Sequence, residues 1–70
     1  MKRDFEDIPN SAIIHAIDEY VHSERDRRIM KRYLCDDKSM FEIAKEEDIS
    51  FKTVQRAVVK NEPRIFRHLP

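Results

Sequence analysis

The chain has 70 residues, 40% of them charged and 40% hydrophobic, with fourteen basic groups balancing fourteen acidic ones and no glycine or tryptophan. That length makes one small domain, near the lower edge of what folds unaided. Without glycine there is no phosphate-binding loop and little prospect of tight hairpins, so an all-α bundle of short amphipathic helices is expected. Cys35 is the single cysteine, which leaves no intramolecular disulfide and suits a reducing cytoplasm. No apolar run is long enough to span a membrane, and the charged start MKRDFED does not read as a signal peptide. A cytoplasmic, nucleoid-associated protein is expected.

In chain order, residues 1–8 form a lead with only Phe5 and Ile8 to anchor it, and a single domain is expected over 9–70. Asn10 or Ser11 is placed to cap a first helix, whose apolar residues Ile13, Ile14, Ile17, Tyr20 and Val21 recur on one face. Ser23 and Asp26 stand at capping spacing for a second helix with Ile29, Met30, Tyr33 and Leu34 as its buried stripe. Asp36 and Asp37 mark the following loop. Ser39 and Glu42 form a capping box, so a third helix starts at about Met40, with Phe41, Ile43 and Ala44 as apolar positions. It runs out in Glu46, Glu47 and Asp48. Ser50 caps the next helix, and Ile49 can staple onto Val54. Beyond Lys60, Val58, Ile65, Phe66 and Leu69 would continue one helical face, but Pro63 removes a backbone donor and disfavours helix at Glu62. A kink, or a break before a short fifth helix, is expected there. Its apolar face would close the core against Ile13 and Ile17 or form a dimer seam.

Residues 39–60 thus read as two short helices joined by a tight turn, a device that sets the second helix in the major groove of DNA. Together with Ser23 to Leu34, SERDRRIMKRYL, this stretch resembles region four of bacterial sigma factors. The resemblance rests on Arg25-Asp26-Arg27 followed by Ile29, on Phe41-Glu42-Ile43-Ala44, and on Ile49-Ser50 with Thr53-Val54. It implies a domain that reads an upstream promoter element and touches RNA polymerase. Two departures stand out: Asp48 occupies a turn position often filled by glycine, and nothing resembles the separate sigma domain that melts DNA.

The expected recognition helix, about 51–61, turns Val54, Ala57 and Val58 inward and leaves Phe51, Lys52, Gln55, Arg56, Val59 and Lys60 outward. Arginine and lysine reach toward guanine, and glutamine toward adenine. Phe51, in the first turn, either meets a thymine methyl or makes a rim contact with the preceding helix. Ser50 and Thr53 can serve backbone phosphate as well as capping. The DNA-binding set expected from the sequence is therefore Ser50, Phe51, Lys52, Thr53, Gln55, Arg56, Val59 and Lys60.

A net charge of zero does not oppose this reading, because charge is blocked along the chain. Residues 1–24, 25–35, 36–48 and 49–70 carry net charges of −4, +4, −4 and +4. Phosphate responds to the local field of the last block. The alternative is that the blocks pair with one another inside the fold. Some of Arg27, Arg28, Lys31 and Arg32 should bridge to Glu42 or Glu46. His15, His22 and His68 form no metal-ligand spacing with Cys35, and no nucleophile stands in a catalytic setting, so no enzyme, metal site or cofactor is expected. Double-stranded DNA is the expected partner, with RNA polymerase and a second copy of the chain as further candidates and no membrane. The expected role is sequence-specific transcription regulation, of the sigma type or as a dimeric repressor or mobile-element regulator. The competing role is a protein-interaction module that docks on RNA polymerase or another regulator.

Overall fold

A computed structural model describes residues 8–69 as four helices: α1 (Asn10–Tyr20), α2 (Glu24–Leu34), α3 (Met40–Glu47) and α4 (Phe51–Arg67). The expected lead, 1–8, lies outside the described residues except for Ile8, which packs against the core. Each of α2, α3 and α4 begins on a serine whose hydroxyl accepts the backbone N–H three residues on, Ser23 from Asp26, Ser39 from Glu42 and Ser50 from Thr53. Such caps satisfy donors that the first helical turn leaves free, each worth about 1 kcal/mol. At α3 the box closes in both directions, because the Glu42 carboxylate accepts the Ser39 N–H at 2.9 Å.

α1 departs from expectation. Neither Asn10 nor Ser11 caps it; both are already helical, and extended Pro9 stands at the cap with no side-chain hydrogen bond. The Pro9 carbonyl instead accepts from the N–H groups of Ala12 and Ile13 at 3.0 and 3.3 Å. The Ser23 cap is likewise one-sided, since the Asp26 carboxylate turns away to Arg25 and Asn61.

The core is built from Ile13, Ala16, Ile17 and Val21 of the first segment, Ile29, Met30 and Leu34 of α2, Ile43 and Ala44 of α3, and Val54, Ala57, Val58 and Ile65 of α4. Burying each large aliphatic side chain contributes about 1.5–3 kcal/mol. Tyr33 is only partly buried. Phe41, expected among the apolar positions of α3, is 71% exposed. Ile43 and Ala44 fill the inward face of this eight-residue helix, and Phe41 points away from them.

The expected break at Pro63 does not occur; α4 continues through it to Arg67. The N–H that proline lacks would have met the carbonyl of Val59, four residues back. Val59 is 66% exposed and Pro63 is also exposed, so the freed carbonyl faces solvent, where water can serve it. Beyond the proline, fully buried Ile65 draws the last turns of α4 onto the core, and the His68 ring stacks on Tyr20 with centroids 3.6 Å apart. The apolar face of this tail closes the core that contains Ile13 and Ile17.

Among the described residues, Asp26 and Asn61, 5% and 1% exposed, are the buried polar ones. Asn61 Nδ2 donates to Asp26 Oδ2 at 3.1 Å and to the Ala57 carbonyl at 2.8 Å, tying α4 to α2. Arg25 donates to the other oxygen of Asp26 from Nε and Nη2, at 3.3 and 3.2 Å. The buried carboxylate therefore keeps both a charge partner and directional donors, as a charge in a low-dielectric setting requires.

Candidate nucleic-acid interface

α3 and α4 are joined by only Asp48, Ile49 and Ser50. The turn depends on Asp48, which adopts the left-handed conformation with φ 58° and ψ 45°. Its N–H bonds to the Lys45 carbonyl at 3.3 Å, and the Ile49 N–H bonds to the Ala44 carbonyl at 3.0 Å. That paired pattern ends a helix and redirects the chain at once. Ile49 packs on the core immediately before the Ser50 cap, with Val54 fully buried beyond it, so the entry to α4 is pinned on both sides.

On α4, Val54, Ala57, Val58, Asn61 and Ile65 face inward. Lys52, Gln55, Arg56, Val59 and Lys60 are exposed, while Phe51 and Thr53 are half-buried. Ser50 and Thr53 share a hydroxyl hydrogen bond of 2.8 Å in addition to the cap, so both side chains already serve the start of the helix. Phe51 stacks on Phe41 with centroids 4.4 Å apart and planes 21° from parallel. Of the two readings open for Phe51, the structure contains the rim contact with α3.

The cations of α4 are spaced four apart at Lys52, Arg56, Lys60 and Arg64, followed by Arg67. Each four-residue step advances about 40° around the helix, so the charges form a gently winding band about 20 Å long. None of these five makes an ion pair among the described residues. Glu62, the one acid of α4, lies off this band and is half-buried, and desolvation pushes its carboxyl above the usual carboxylate range.

Two clefts border the band. One, of about 240 Å³, lies between the start of α2 and α4 and is lined by Arg25, Asp26, Thr53, Arg56, Ala57 and Lys60. The other, of about 290 Å³, sits at the far end against Tyr20, His22, Arg64, Arg67 and His68. Arg25, Arg64 and Arg67 lie outside the DNA-binding set expected from the sequence. The four-residue spacing from Lys52 to Arg64 carries the signal for Arg64, but it is legible only if the helix crosses Pro63.

The other basic cluster has a different fate. Arg28 grips Glu47 through Nε and Nη2 at 3.0–3.2 Å. Arg32 bonds to Glu46 and approaches Glu47 at 3.4 Å. Lys38 adds a 2.6 Å contact to Glu46, and Lys31 pairs with Asp18 at 3.0 Å. Arg27 donates to the Val21 carbonyl at 2.6 Å. Bridging to Glu46 is as expected, but Glu42 is taken by its capping box, and Glu47 holds the position expected of it. The hydrogen bonds from Lys38 and Arg28 hold the carboxyls of Glu46 and Glu47 below the usual range, and Arg28 and Lys38 are raised in return.

Among the described residues no group of acidic, histidine or cysteine side chains could hold a metal ion, and no helix is long and apolar enough to cross a membrane. The chain matches no protein-family model, and no curated protein or solved structure is significantly similar to it.

Proposed function

We propose that this protein binds duplex DNA, with α4 lying in the major groove, and regulates transcription through that contact. The observation that carries the reading is the band of Lys52, Arg56, Lys60, Arg64 and Arg67, which makes no ion pair among the described residues, on the helix that follows a three-residue turn. A cation that the fold does not use keeps its full charge for phosphate, and the release of counterions from DNA then drives association. Phosphate contacts set the register, and Lys52, Gln55 and Arg56 supply the donors and acceptors that discriminate bases. Arg25, half-exposed above its cleft and bonded to Asp26 through Nε and Nη2, is placed to add a phosphate contact from α2 with the rest of its guanidinium. The resemblance to sigma region four supports RNA polymerase as a second partner.

The test is selection of binding sites from random duplexes with the purified protein, followed by affinity measurements over a range of salt. An enriched sequence, bound more weakly as salt rises, is the expected result. Failure to enrich any sequence, with no retention of duplex at low salt, would replace this reading by that of a protein-interaction module.

A further inference from the structure

We infer that the stacked pair Phe41 and Phe51 reads the 5-methyl group of thymine at one end of the bound site; this rests on the DNA-binding reading above. The core does not need Phe41: it is 71% exposed, while Ile43 and Ala44 of the same helix fill the interior. Its ring instead lies on that of Phe51, the first residue of α4, at 4.4 Å. Phe51 props the outer ring in place, so the apolar surface where the starts of α3 and α4 meet belongs chiefly to α3.

The surroundings select the occupant. Lys45 lies one turn beyond Phe41 on α3, and Lys52 follows Phe51 on α4; both are exposed and neither makes an ion pair among the described residues. An apolar ring pair with one exposed, unpaired cation beside it on each helix, and with the neighbouring Glu42 carboxylate turned to the Ser39 N–H, suits a polyanion that displays small apolar groups. In the major groove of DNA those groups are thymine methyls, which favour apolar contact. Gln55 stands one turn beyond Phe51 on the exposed side of α4, with the bidentate amide that matches adenine. Phenylalanine and glutamine together would favour A·T pairs where the first turn of α4 enters the groove.

The experiment uses the duplex enriched by selection, with each thymine replaced in turn by uracil, which removes one methyl group and keeps the hydrogen-bonding edge. One or two positions should bind about fourfold more weakly with uracil, the effect of exposing one buried methyl-sized group. Phe41→Ala should erase that discrimination, and Phe41→Leu should retain part of it. Because Phe41 is exposed, the melting temperature of either variant should stay close to that of the parent. If Phe41→Ala does not fold, the uracil series on the unaltered protein and on Phe41→Leu decides the matter. Equal affinity for thymine and uracil at every position, with Arg56→Ala still weakening binding, overturns this inference alone. An unaltered protein that binds no duplex overturns it together with the DNA-binding reading.

Discussion

Helices α2 and α4 each carry a cluster of basic residues, yet the fold treats them in opposite ways. On α2, Arg28, Lys31 and Arg32 end on Glu47, Asp18 and Glu46, and Arg25 on Asp26. On α4, Lys52, Arg56, Lys60, Arg64 and Arg67 meet no carboxylate among the described residues. The two positive blocks look equivalent along the sequence, but the negative block at 36–48 folds back on the first of them only. Internal pairing accounts for the positive block on α2, and the block on α4 is left available for the DNA contact proposed above. Net neutrality hides a band of exposed positive charge along α4.

The largest test of this division is Arg56→Ala. It should weaken specific DNA binding by about 1–3 kcal/mol if Arg56 makes a bidentate base contact. Its melting curve should move by no more than about 0.5 kcal/mol, as for other surface changes. A large stability loss would mean that Arg56 belongs with the structural arginines of α2.

Glu47→Gln should do the reverse. Its side chain is only 7% exposed and accepts a two-pronged contact from Arg28. Removing the charge should cost up to about 1 kcal/mol of stability while leaving the DNA affinity of the folded protein nearly unchanged. The pH dependence follows from the same pairs. The carboxyls of Glu46 and Glu47 lie lower in the folded chain than in the unfolded one, so their contribution is complete above the ordinary carboxylate range. It is lost as pH falls through their depressed folded values. Acid unfolding of a Glu46→Gln, Glu47→Gln double variant should accordingly be less steep than that of the parent.

Asp48→Gly acts on the joint between the paired and unpaired regions. With φ at 58°, glycine should relieve backbone strain and stabilise the domain by up to about 1 kcal/mol, part of the gain being offset by a freer unfolded chain. A lower melting temperature would show that the Asp48 side chain contributes more to the turn than its backbone costs. The smallest effect should come from Arg64→Gln, which would reduce the dependence of log affinity on log salt by about one, equally for all sequences. An unchanged slope would end the proposed DNA-facing band at Lys60.

Much of the fold was legible because its signals are local. Ser23, Ser39 and Ser50 each bond within three residues, the core stripes recur every turn, and Asp48 stands where a left-handed residue closes α3. What escaped depends on distant or non-side-chain partners. Pro9 starts α1 through a carbonyl that any residue possesses. Glu47 finds Arg28 across nineteen positions, and Asn61 finds Asp26 across thirty-five. The local penalty at Pro63 predicts a break that does not occur, because the burial of Ile65 offsets it. Of the site, the outward set on α4 followed from periodicity; Arg25 did not, since only the packing of α2 against α4 brings it beside Arg56 and Lys60.

The bond from Asn61 to Asp26 fixes more than the distance between two helices. A core surface of valine, alanine and isoleucine would accept α4 at several angles about its own axis with little difference in energy. A directional hydrogen bond to a buried carboxylate accepts one. A slip of one residue would turn the helix by about 100° and carry Arg56 away from the face proposed to meet DNA. Replacing both partners with apolar side chains of similar volume should therefore leave the domain folded and about as heat-resistant. Its spectra should show several conformers of α4, and its choice among DNA sequences should blur. On this view the pair keeps the protein's text in focus: it determines which side chains are presented to be matched, while contributing little to how tightly the page is bound.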